Sequence, residues 1–456
     1  MTQSLDELFS PRQLKRDADT LANWGVDWTR SETPAPSAVV FVETLDEVVA
    51  LVRLANEQGF ALVPSGGRTG LSGGAVAARG EVVVSFDRMN RILEFDAADR
   101  LVRCQAGVVT QALQAYAREQ GLFYPVDFAS AGSSRIGGNI ATNAGGIRVI
   151  RYGLTRDWVA GLTVVTGAGE VLDCNRGLVK NATGYDLRHL FIGSEGTLGL
   201  VVEAEMRLTR MPPPQRVMVL GVPVFAEILK VLDLFRERLT LSAFEFFSDA
   251  ALSHVLAHRD LRPPLEESAP FYALLEFDEA EVEVAMALFE RTVEEGWVTD
   301  GVLSQSEAQA ADLWQLREGI SESIAPRTPY KNDLSVRISR MPDFIEEVDA
   351  LVKESYPDFQ ICWYGHIGDG NLHLNILKPR DLSRETFQEH CHAMSPKIFA
   401  AVRKRGGSIS AEHGVGLTKR DFLSFTRSEE DIRLMARLKA VFDPKRVMNP
   451  GKLLPA

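Results

Sequence analysis

The chain has 456 residues, enough for two or three domains of ordinary size. Its 45% apolar and 25% charged residues are the mixture of a globular protein and exclude a disordered or fibrous chain. The 50 Lys and Arg residues stand against 62 Asp and Glu residues, for a formal net charge of −12. This acidic balance disfavours binding to nucleic acid or to an anionic membrane, although it permits a local basic pocket for an acidic substrate.

The cysteines and the amino-terminal segment indicate a reducing, cytoplasmic location. Cys104, Cys174, Cys362 and Cys391 form no CxxC pair, which disfavours a disulfide framework or an iron–sulfur cluster. The first 17 residues contain acidic side chains and no apolar run, so we predict neither a secretory signal nor a transit peptide. No apolar run reaches the ~18 residues that cross a bilayer, so no transmembrane segment is predicted.

The first half of the chain alternates strand-like and helix-like segments. Thr44 and Glu47 have the spacing of a capping box, and helical apolar spacing continues from there to Gly59. The predicted strands, of which 162–173 forms both arms of a hairpin, lie at 38–42, 61–63, 81–86, 162–173 and 198–209.

The prolines of MPPPQ, residues 211–215, mark the clearest boundary, because proline continues neither a helix nor a central strand. A second unit is predicted after them, and a last helix is predicted near 433–440. The second unit has predicted strands near 217–220, 243–247 and 271–277 and predicted helices near 279–295, 307–324 and 342–355.

Three glycine-rich loops occur in the first half. PSGGRTGLSGGAV, residues 64–76, can direct several backbone N–H groups onto one anion, for which a diphosphate is the natural guest. One such loop alone could be a flexible linker, but IGGNIATNAGGIRVIRYG (136–153) and FIGSEGTLGLV (191–201) add two more. The G-x-G-x-x-G and G-x-x-x-x-G-K-[ST] signatures are absent, which disfavours a Rossmann NAD site and a P-loop.

Together, PSGGRTGLSGG, IGGNIATNAGG and GSEGTLG resemble the FAD-binding domain of the vanillyl-alcohol-oxidase flavoprotein superfamily. The resemblance implies an α+β fold. It consists of a two-subdomain PCMH-type FAD-binding domain (1–212), an α+β cap or substrate domain with an antiparallel sheet (213–420), and a carboxy-terminal segment (421–456) that returns to the FAD domain.

The resemblance also assigns residues to FAD. Some members of the superfamily attach flavin through a His or Cys in the first or second loop; since neither loop contains one, we expect non-covalent FAD. The assigned residues are Pro64, Ser65, Gly66, Gly67, Arg68, Thr69, Gly70 and Gly73 around the pyrophosphate, Gly137, Gly138, Asn139, Thr142, Asn143 and Gly146 along the flavin, Glu195, Gly196 and Val201 near the adenine end, and Asn449 near the ring.

In the second half, WYGHIGDGNLHLNI (363–376) is typical of a β-hairpin. A tight hairpin can bring His366 and His373 near each other across its strands, and Asn375 shares a face with His373. A lone histidine is more often a core or surface residue than a ligand, but two on opposing arms favour a metal site.

SISAEHGVGLTKR adds Glu412 and His413, which can share a site only where the backbone bends, as Gly414 and Gly416 allow. Two histidines and one glutamate are the ligand set of an open catalytic metal site. Zinc fits this set first, while manganese, cobalt and iron also suit a site that includes a carboxylate.

This half of the chain resembles the flavin-linked D-2-hydroxy-acid dehydrogenases. The resemblance implies that His366, His373 and Glu412 bind the divalent metal and that His413 is the catalytic base. A dication would lower the pKa of the substrate hydroxyl, a neutral histidine would take its proton, and hydride would pass from C2 to oxidised flavin.

LWQLREGISES (313–323) followed by PYKNDLSVRIS (329–339) resembles the D-2-hydroxyglutarate dehydrogenases within that family. The resemblance implies that Arg317 and Lys331 bind the distal carboxylate, with Ser321 one helical turn from Arg317. Ser321 stands where threonine is more usual, which keeps the hydroxyl and loses a methyl contact.

Two further assignments rest on the same resemblance. Asn375 helps to hold the proximal end of the substrate, and the tail at 442–455 matches the family's closing segment, with Asn449 near the flavin ring. The alternatives are an untethered polar terminus for the tail and a solvated surface pair of the two cations with Glu318 or Asp333.

The leading hypothesis is FAD- and metal-dependent oxidation of D-2-hydroxyglutarate to 2-oxoglutarate. A D-lactate or glycolate dehydrogenase of the same fold is one alternative, in which Arg317 and Lys331 would be idle. A flavin-dependent transferase resembling the ether-lipid synthases, without net oxidation, is another, although those carry consecutive histidines where this chain has Glu412 before a lone His413. A non-catalytic flavin- or metal-binding module is a third.

The sequence shows no second redox centre, so reduced flavin needs an external acceptor. The resemblance implies an electron-transfer flavoprotein or a quinone-linked acceptor, and it suggests a homodimer.

Overall fold

The computed structural model describes residues 4–30 and 32–455, so the first three residues of the amino-terminal segment lie outside it. Its strands are β1 (Leu14–Lys15), β2 (Ala38–Phe41), β3 (Leu62–Ser65), β4 (Val82–Ser85), β5 (Ile92–Asp96), β6 (Leu101–Gln105), β7 (Leu122–Phe123), β8 (Val159–Thr166), β9 (Val171–Cys174), β10 (Gly199–Arg207), β11 (Thr209–Arg210), β12 (Gln215–Val222), β13 (Leu241–Ser248), β14 (Phe271–Asp278), β15 (Asp300–Leu303), β16 (Tyr330–Ser335), β17 (Gln360–His366) and β18 (Asn371–Leu377).

The α-helices are α1 (Leu5–Leu8), α2 (Ala18–Trp24), α3 (Leu45–Gln58), α4 (Thr110–Glu119), α5 (Ile136–Thr142), α6 (Val149–Tyr152), α7 (Thr155–Trp158), α8 (Arg188–Phe191), α9 (Phe225–Arg236), α10 (Asp249–His258), α11 (Val282–Glu294), α12 (Glu307–Glu318), α13 (Ile320–Ser323), α14 (Met341–Ser355), α15 (Arg384–Lys404) and α16 (Glu429–Phe442). Short 3₁₀ turns lie at Glu279–Glu281, Ala325–Arg327, Ile338–Arg340, Ile367–Asp369 and Arg420–Phe425. Within the described residues, no helix is both long and apolar enough to cross a membrane.

The chain divides into two compact units. Unit 1 contains the described residues up to Gly146, then Gly153–Met211, then the described residues from Glu412 onward. Unit 2 contains Ile147–Tyr152 and Pro212–Ala411. One boundary between the units lies between Met211 and Pro212, within the proline run.

The units depart from the sequence-based division in two places. Residues 412–420 cluster with unit 1, where the N–H of Leu417 donates to Ser72 O at 2.8 Å. Residues 147–152 cluster with unit 2, where Arg151 pairs with Asp278 at 2.6 Å. Both departures come from contacts between distant parts of the chain.

Unit 1 is built on two main sheets. The four-stranded sheet has the order β1-β2-β4-β3. Strands β2, β4 and β3 are parallel to one another, and the edge strand β1 is antiparallel to β2. The five-stranded sheet, ordered β5-β6-β10-β8-β9, is antiparallel throughout. The valines of β2 and β4 are fully buried, as expected for parallel strands covered on both faces.

Helix α3 begins at Thr44, whose hydroxyl accepts the N–H of Glu47 at 3.2 Å. Glu47 returns its carboxylate to the N–H of Glu43 at 2.7 Å, so the predicted capping interaction forms with its second half shifted by one residue.

Unit 2 contains a seven-stranded antiparallel sheet in the order β15-β12-β14-β13-β17-β18-β16. Helices α10, α12 and α13 contribute apolar side chains to the core cluster that includes Phe247, Tyr364 and Cys362. The α+β class, with an antiparallel sheet in the second domain, is confirmed.

Candidate active site

The hairpin of β17 and β18 brings His366 and His373 together. Tyr364 lies opposite His373 in the ladder and His366 lies opposite Asn371, so the two histidines are diagonal neighbours on one face. Their ring centroids are 5.3 Å apart and their planes are nearly perpendicular. Both residues are buried, so the predicted pairing of the two imidazoles across the hairpin is present in the structure.

The register extends this face across the sheet, because directly opposed residues of antiparallel strands point to the same side. Glu245 of β13 lies opposite His366, and Asp333 of β16 lies opposite His373. Lys331, two residues before Asp333 in β16, lies opposite Asn375, two residues after His373 in β18. One face of the sheet therefore presents two histidines, two carboxylates and the predicted substrate-binding lysine and asparagine.

Each imidazole has its own carboxylate neighbour. Glu245 Oε1 lies 2.7 Å from His366 Nδ1, and Asp333 Oδ1 lies 3.7 Å from His373 Nδ1. An ionised carboxylate can only accept, so the contact with Glu245 favours the His366 tautomer that carries its proton on Nδ1.

Asp333 also holds the backbone at Ala411, where unit 2 ends. Its Oδ1 accepts the Asn371 side-chain N–H at 2.8 Å, and its Oδ2 accepts the N–H of Ala411 at 3.0 Å. Ala411 is followed directly by Glu412 in the chain. Asn375 is 1% exposed, and its side-chain amide donates long hydrogen bonds, 3.4 and 3.3 Å, to the backbone carbonyls of Cys362 and His373.

Glu412 and His413 lie in a bent, non-repetitive segment of unit 1. Their Oε1 and Nε2 atoms are 3.5 Å apart, and both side chains are partly exposed. Gly414 and Gly416 have φ values of +81° and +50°, which supply the bend predicted from the sequence. Within its own unit, each pair offers ligand atoms no more than 4.8 Å apart: Asp333 with His373, and Glu412 with His413.

Glu195 holds the segment that follows His413. Its buried carboxylate accepts the N–H groups of Val415 and Gly416 at 2.7 Å each. Burial raises the pKa of Glu195, an effect that the two backbone N–H groups partly offset. The third glycine loop thus supports the loop of the predicted catalytic base.

Arg317 is buried at the end of α12, where its guanidinium lies 4.7 Å from the centre of the Tyr364 ring. Its Nη2 is 2.8 Å from Glu245 Oε2, close enough for an ion pair but not aligned for a hydrogen bond. Within the described residues, Nε and Nη2 of Arg317 have no hydrogen-bond partner. Its carboxylate neighbour is therefore Glu245, rather than Glu318 or Asp333.

Lys331 donates to the hydroxyl of Ser321 at 2.8 Å. Although part of this side chain is open to solvent, the protein around its ammonium lowers the pKa of Lys331 by desolvation. Arg317 and Ser321 belong to successive short helices, α12 and α13, with Gly319 between them.

In unit 1, the first glycine loop leaves the carboxyl end of parallel strand β3. Ser65 is fully buried, and its hydroxyl has no partner among the described residues. A Cβ on Gly67 would lie 2.2 Å from Ser133 O, so this position requires glycine. Arg68 adopts φ +58°, and its guanidinium lies over Trp24. Buried polar groups beside a glycine turn suit a polar ligand such as a diphosphate.

The second loop forms the short helix α5. A Cβ on Gly137 would lie 2.7 Å from the Ala106 Cβ, whereas a Cβ on Gly138 would meet nothing within 4 Å. The Asn139 amide donates to Thr110 at 2.7 Å, and Asn143 accepts the N–H of Arg156 at 3.0 Å. Gly138 is the open position of this helix; Asn139 and Asn143 stabilise the fold around it.

The tail ties the first and third loops together. Asn449 is fully buried and its amide donates to the carbonyls of Gly74 and Glu195, at 2.9 and 2.8 Å, while its Oδ1 has no partner among the described residues. A Cβ on Gly196 would lie 2.5 Å from Pro64 Cγ. The remaining predicted cofactor residues sit in these elements: Thr69, Gly70 and Gly73 in the first loop, Thr142 and Gly146 in and after α5, and Val201 in β10.

Sequence reasoning missed Glu245 as a site residue and considered Asp333 only as a surface partner of the cations. Glu245 is the single charged residue in the strand LSAFEFFS, where both faces are buried. A lone carboxylate in such a strand requires a buried partner, and this signal could have identified it.

Comparisons of the whole chain with known proteins identify its family. A family model described as "FAD linked oxidases, C-terminal domain" matches residues 211–453, and one described as "FAD binding domain" matches residues 36–175. The chain is 58% identical over 459 residues to D-2-hydroxyglutarate dehydrogenase of Stutzerimonas stutzeri, covering 100% of this chain and 99% of that protein. It is 56% identical over 453 residues to the protein of that name from Xanthomonas citri pv. viticola (99% and 96% covered). It is 39% identical over 457 residues to the mitochondrial one from Bos taurus (98% and 82% covered).

Solved structures share the fold at low identity. p-Cresol methylhydroxylase with bound substrate matches with a TM-score of 0.76 and 16% identity, covering 99% of this chain and 95% of that one. Alkyldihydroxyacetonephosphate synthase matches with a TM-score of 0.72 and 20% identity, covering 98% and 83%.

Proposed function

Because this chain belongs to the flavin-linked D-2-hydroxy-acid dehydrogenases of the vanillyl-alcohol-oxidase superfamily, we propose that it oxidises D-2-hydroxyglutarate to 2-oxoglutarate with FAD and a divalent metal. It is an FAD-dependent dehydrogenase of small hydroxy acids, and the resemblance seen in its glycine loops is confirmed. Metal dependence, the oxo-acid product and the roles of individual residues belong to the proposal.

FAD, when bound, supplies the acceptor for the hydride from C2 of the substrate. The residues present fit this cofactor, since the buried Ser65 hydroxyl and Asn449 Oδ1 have no hydrogen-bond partner in the part of the chain that the structure describes, and Gly138 leaves open space. Neither the first nor the second loop contains His or Cys, which supports non-covalent binding.

His366, His373 and Glu412 would hold the metal, whose chemistry there is to lower the pKa of the substrate hydroxyl. The fit rests on two buried imidazoles whose ring centroids are 5.3 Å apart, with the Nδ1 atom of His366 directed at the Glu245 carboxylate. Zinc is the first choice, and manganese, cobalt or iron suit the same set. His413 accepts the hydroxyl proton as general base.

The observation that carries the substrate assignment is the pair of cations beside these histidines. Arg317 is buried with two donor nitrogens that have no hydrogen-bond partner among the described residues, and Lys331 donates to a serine hydroxyl. A distal carboxylate would accept from the unpartnered donors of Arg317 and from the Lys331 ammonium, with the Ser321 hydroxyl as a further donor. Asn375, on the same face as Lys331, would hold the proximal end. D-Lactate and glycolate offer no such group.

The test is an anaerobic screen of flavin bleaching with D- and L-2-hydroxy acids, on the flavin-loaded protein with and without added zinc or manganese. D-2-Hydroxyglutarate should bleach the flavin band fastest, and chelation should slow this. Full activity after chelation would overturn the metal mechanism. Equal rates with D-lactate would favour the shorter-substrate alternative, and no bleaching by any hydroxy acid would favour a transferase or a binding module.

Reduced flavin would pass its electrons to an electron-transfer flavoprotein or a quinone-linked acceptor. That acceptor, the cytoplasmic location and a homodimeric state stay predictions from the sequence.

A further inference from the structure

We propose that Glu245 is a positioning residue that holds His366 in its metal-binding tautomer and at the same time balances the charge of Arg317. This inference rests on the proposed function, because it concerns the histidine assigned to the metal and the arginine assigned to the substrate. It adds a role for a residue that is itself assigned neither to the metal nor to the substrate.

The position of Glu245 is fixed by the sheet. Glu245 lies directly opposite His366 in the β13–β17 ladder, so both side chains point to the same face of the sheet. The Glu245 side chain is 1% exposed, and its partners are 8% and 7% exposed. A carboxylate buried this deeply is stable only when its oxygens are satisfied by charged or hydrogen-bonding groups.

The two oxygens of Glu245 have different partners. Oε1 accepts from Nδ1 of His366 at 2.7 Å, while Oε2 faces Nη2 of Arg317 at 2.8 Å. The first contact fixes the orientation of the imidazole ring, which is the usual effect of a carboxylate behind a metal-binding histidine. The second keeps the guanidinium close without aligning it, so its donors remain available to an incoming carboxylate.

Glu276 is a matched comparison within the same sheet. It lies on the neighbouring strand β14, is 4% exposed, and contacts Arg148 at 3.1 Å and the Trp314 indole N–H at 3.0 Å. Like Glu245, Glu276 is buried and contacts an arginine, although a different one. Within the described residues, no hydrogen bond or ion pair joins Glu276 to a histidine. A loss of metal binding specific to Glu245 separates positioning from general damage to a buried ion pair.

The experiment measures zinc affinity by competition with a chromophoric chelator, on flavin-loaded protein stripped of metal. Glu245→Gln should weaken zinc binding ~10-fold and Glu245→Ala ~100-fold, the range for losing such a partner. Glu276→Gln should match the wild type. In a His366→Ala background, Glu245→Gln should change zinc affinity no further, because its effect acts through that ring.

Glu245→Gln also separates two kinetic effects. The unbalanced charge of Arg317 should alter KM for D-2-hydroxyglutarate, and the altered metal site should lower kcat even at saturating zinc. If Glu245→Ala fails to fold, Glu245→Gln and the double variant still decide the matter. Wild-type zinc affinity in Glu245→Gln, or an additive double variant, would overturn this inference alone. A wild-type protein that takes up no zinc would overturn both it and the metal part of the proposed function.

Discussion

Replacing Lys331 by methionine tests the substrate assignment most directly. Methionine keeps the length and the apolar stem and removes the charge. Arg317 is a poorer target, since its loss would leave the buried Glu245 carboxylate without its ion pair and would cost stability as well as binding. The partner of Lys331 is the hydroxyl of the exposed Ser321, which water can satisfy after the change.

The expected magnitude follows from the surroundings of the Lys331 ammonium. A hydrogen bond to a charged group contributes about 1.5–3 kcal/mol, while a fully solvated ion pair contributes less than about 1 kcal/mol. Desolvation around the ammonium lowers the pKa of Lys331, but the residue as a whole is exposed and solvent screens its charge, so only the lower half of the first range applies. We expect a loss of about 1.5–2 kcal/mol, or ~10- to 30-fold in kcat/KM for D-2-hydroxyglutarate.

The assay compares steady-state kcat/KM with an artificial electron acceptor for D-2-hydroxyglutarate and D-lactate. Lys331→Met should lose activity on the first substrate, mainly through KM, and keep its activity on the second. Lys404→Met is the control, because Lys404 belongs to the same unit and pairs with Glu347 on the surface at 3.1 Å. Equal losses on both substrates would refute the distal-carboxylate assignment.

Three further predictions concern pH and the flavin loops. Because desolvation lowers the pKa of Lys331 below the ordinary value of 10.5, KM for D-2-hydroxyglutarate should rise at a lower alkaline pH than a solvated lysine would give. A KM that stays flat with pH, or that rises in the same way in Lys331→Met, would contradict this. Gly138→Ala should stabilise the apoprotein by up to ~1 kcal/mol, because a Cβ there meets nothing within 4 Å and alanine favours the helix. The same change should weaken FAD binding in a flavin titration, and an unchanged affinity would show that FAD does not approach this face of α5. Asn449→Ala should lower the free energy of unfolding by about 2–3 kcal/mol in a urea titration, because it removes one buried and one partly buried hydrogen bond. Asn90→Ala, which removes one exposed hydrogen bond, should have little effect, and equal values for the two variants would argue against the tie between the loops.

Features with local signals could be predicted from the sequence alone. Glycine spacing located the three loops, and apolar runs around Gly368-Asp-Gly370 predicted the hairpin that pairs His366 with His373. A tight turn closes such a hairpin within a few residues, so contacts between residues close in the sequence are enough to bring the two histidines together.

Only the tertiary structure decided which groups surround those histidines. Glu245 lies 121 positions before His366, and Glu195 lies 220 positions before Val415, so no local period connects either pair. Sheet register made the first contact, because shifting β13 by a single residue would turn Glu245 to the opposite face. The strand order and register come from packing the whole sheet, which is why the buried carboxylates of this site became visible only in the folded chain.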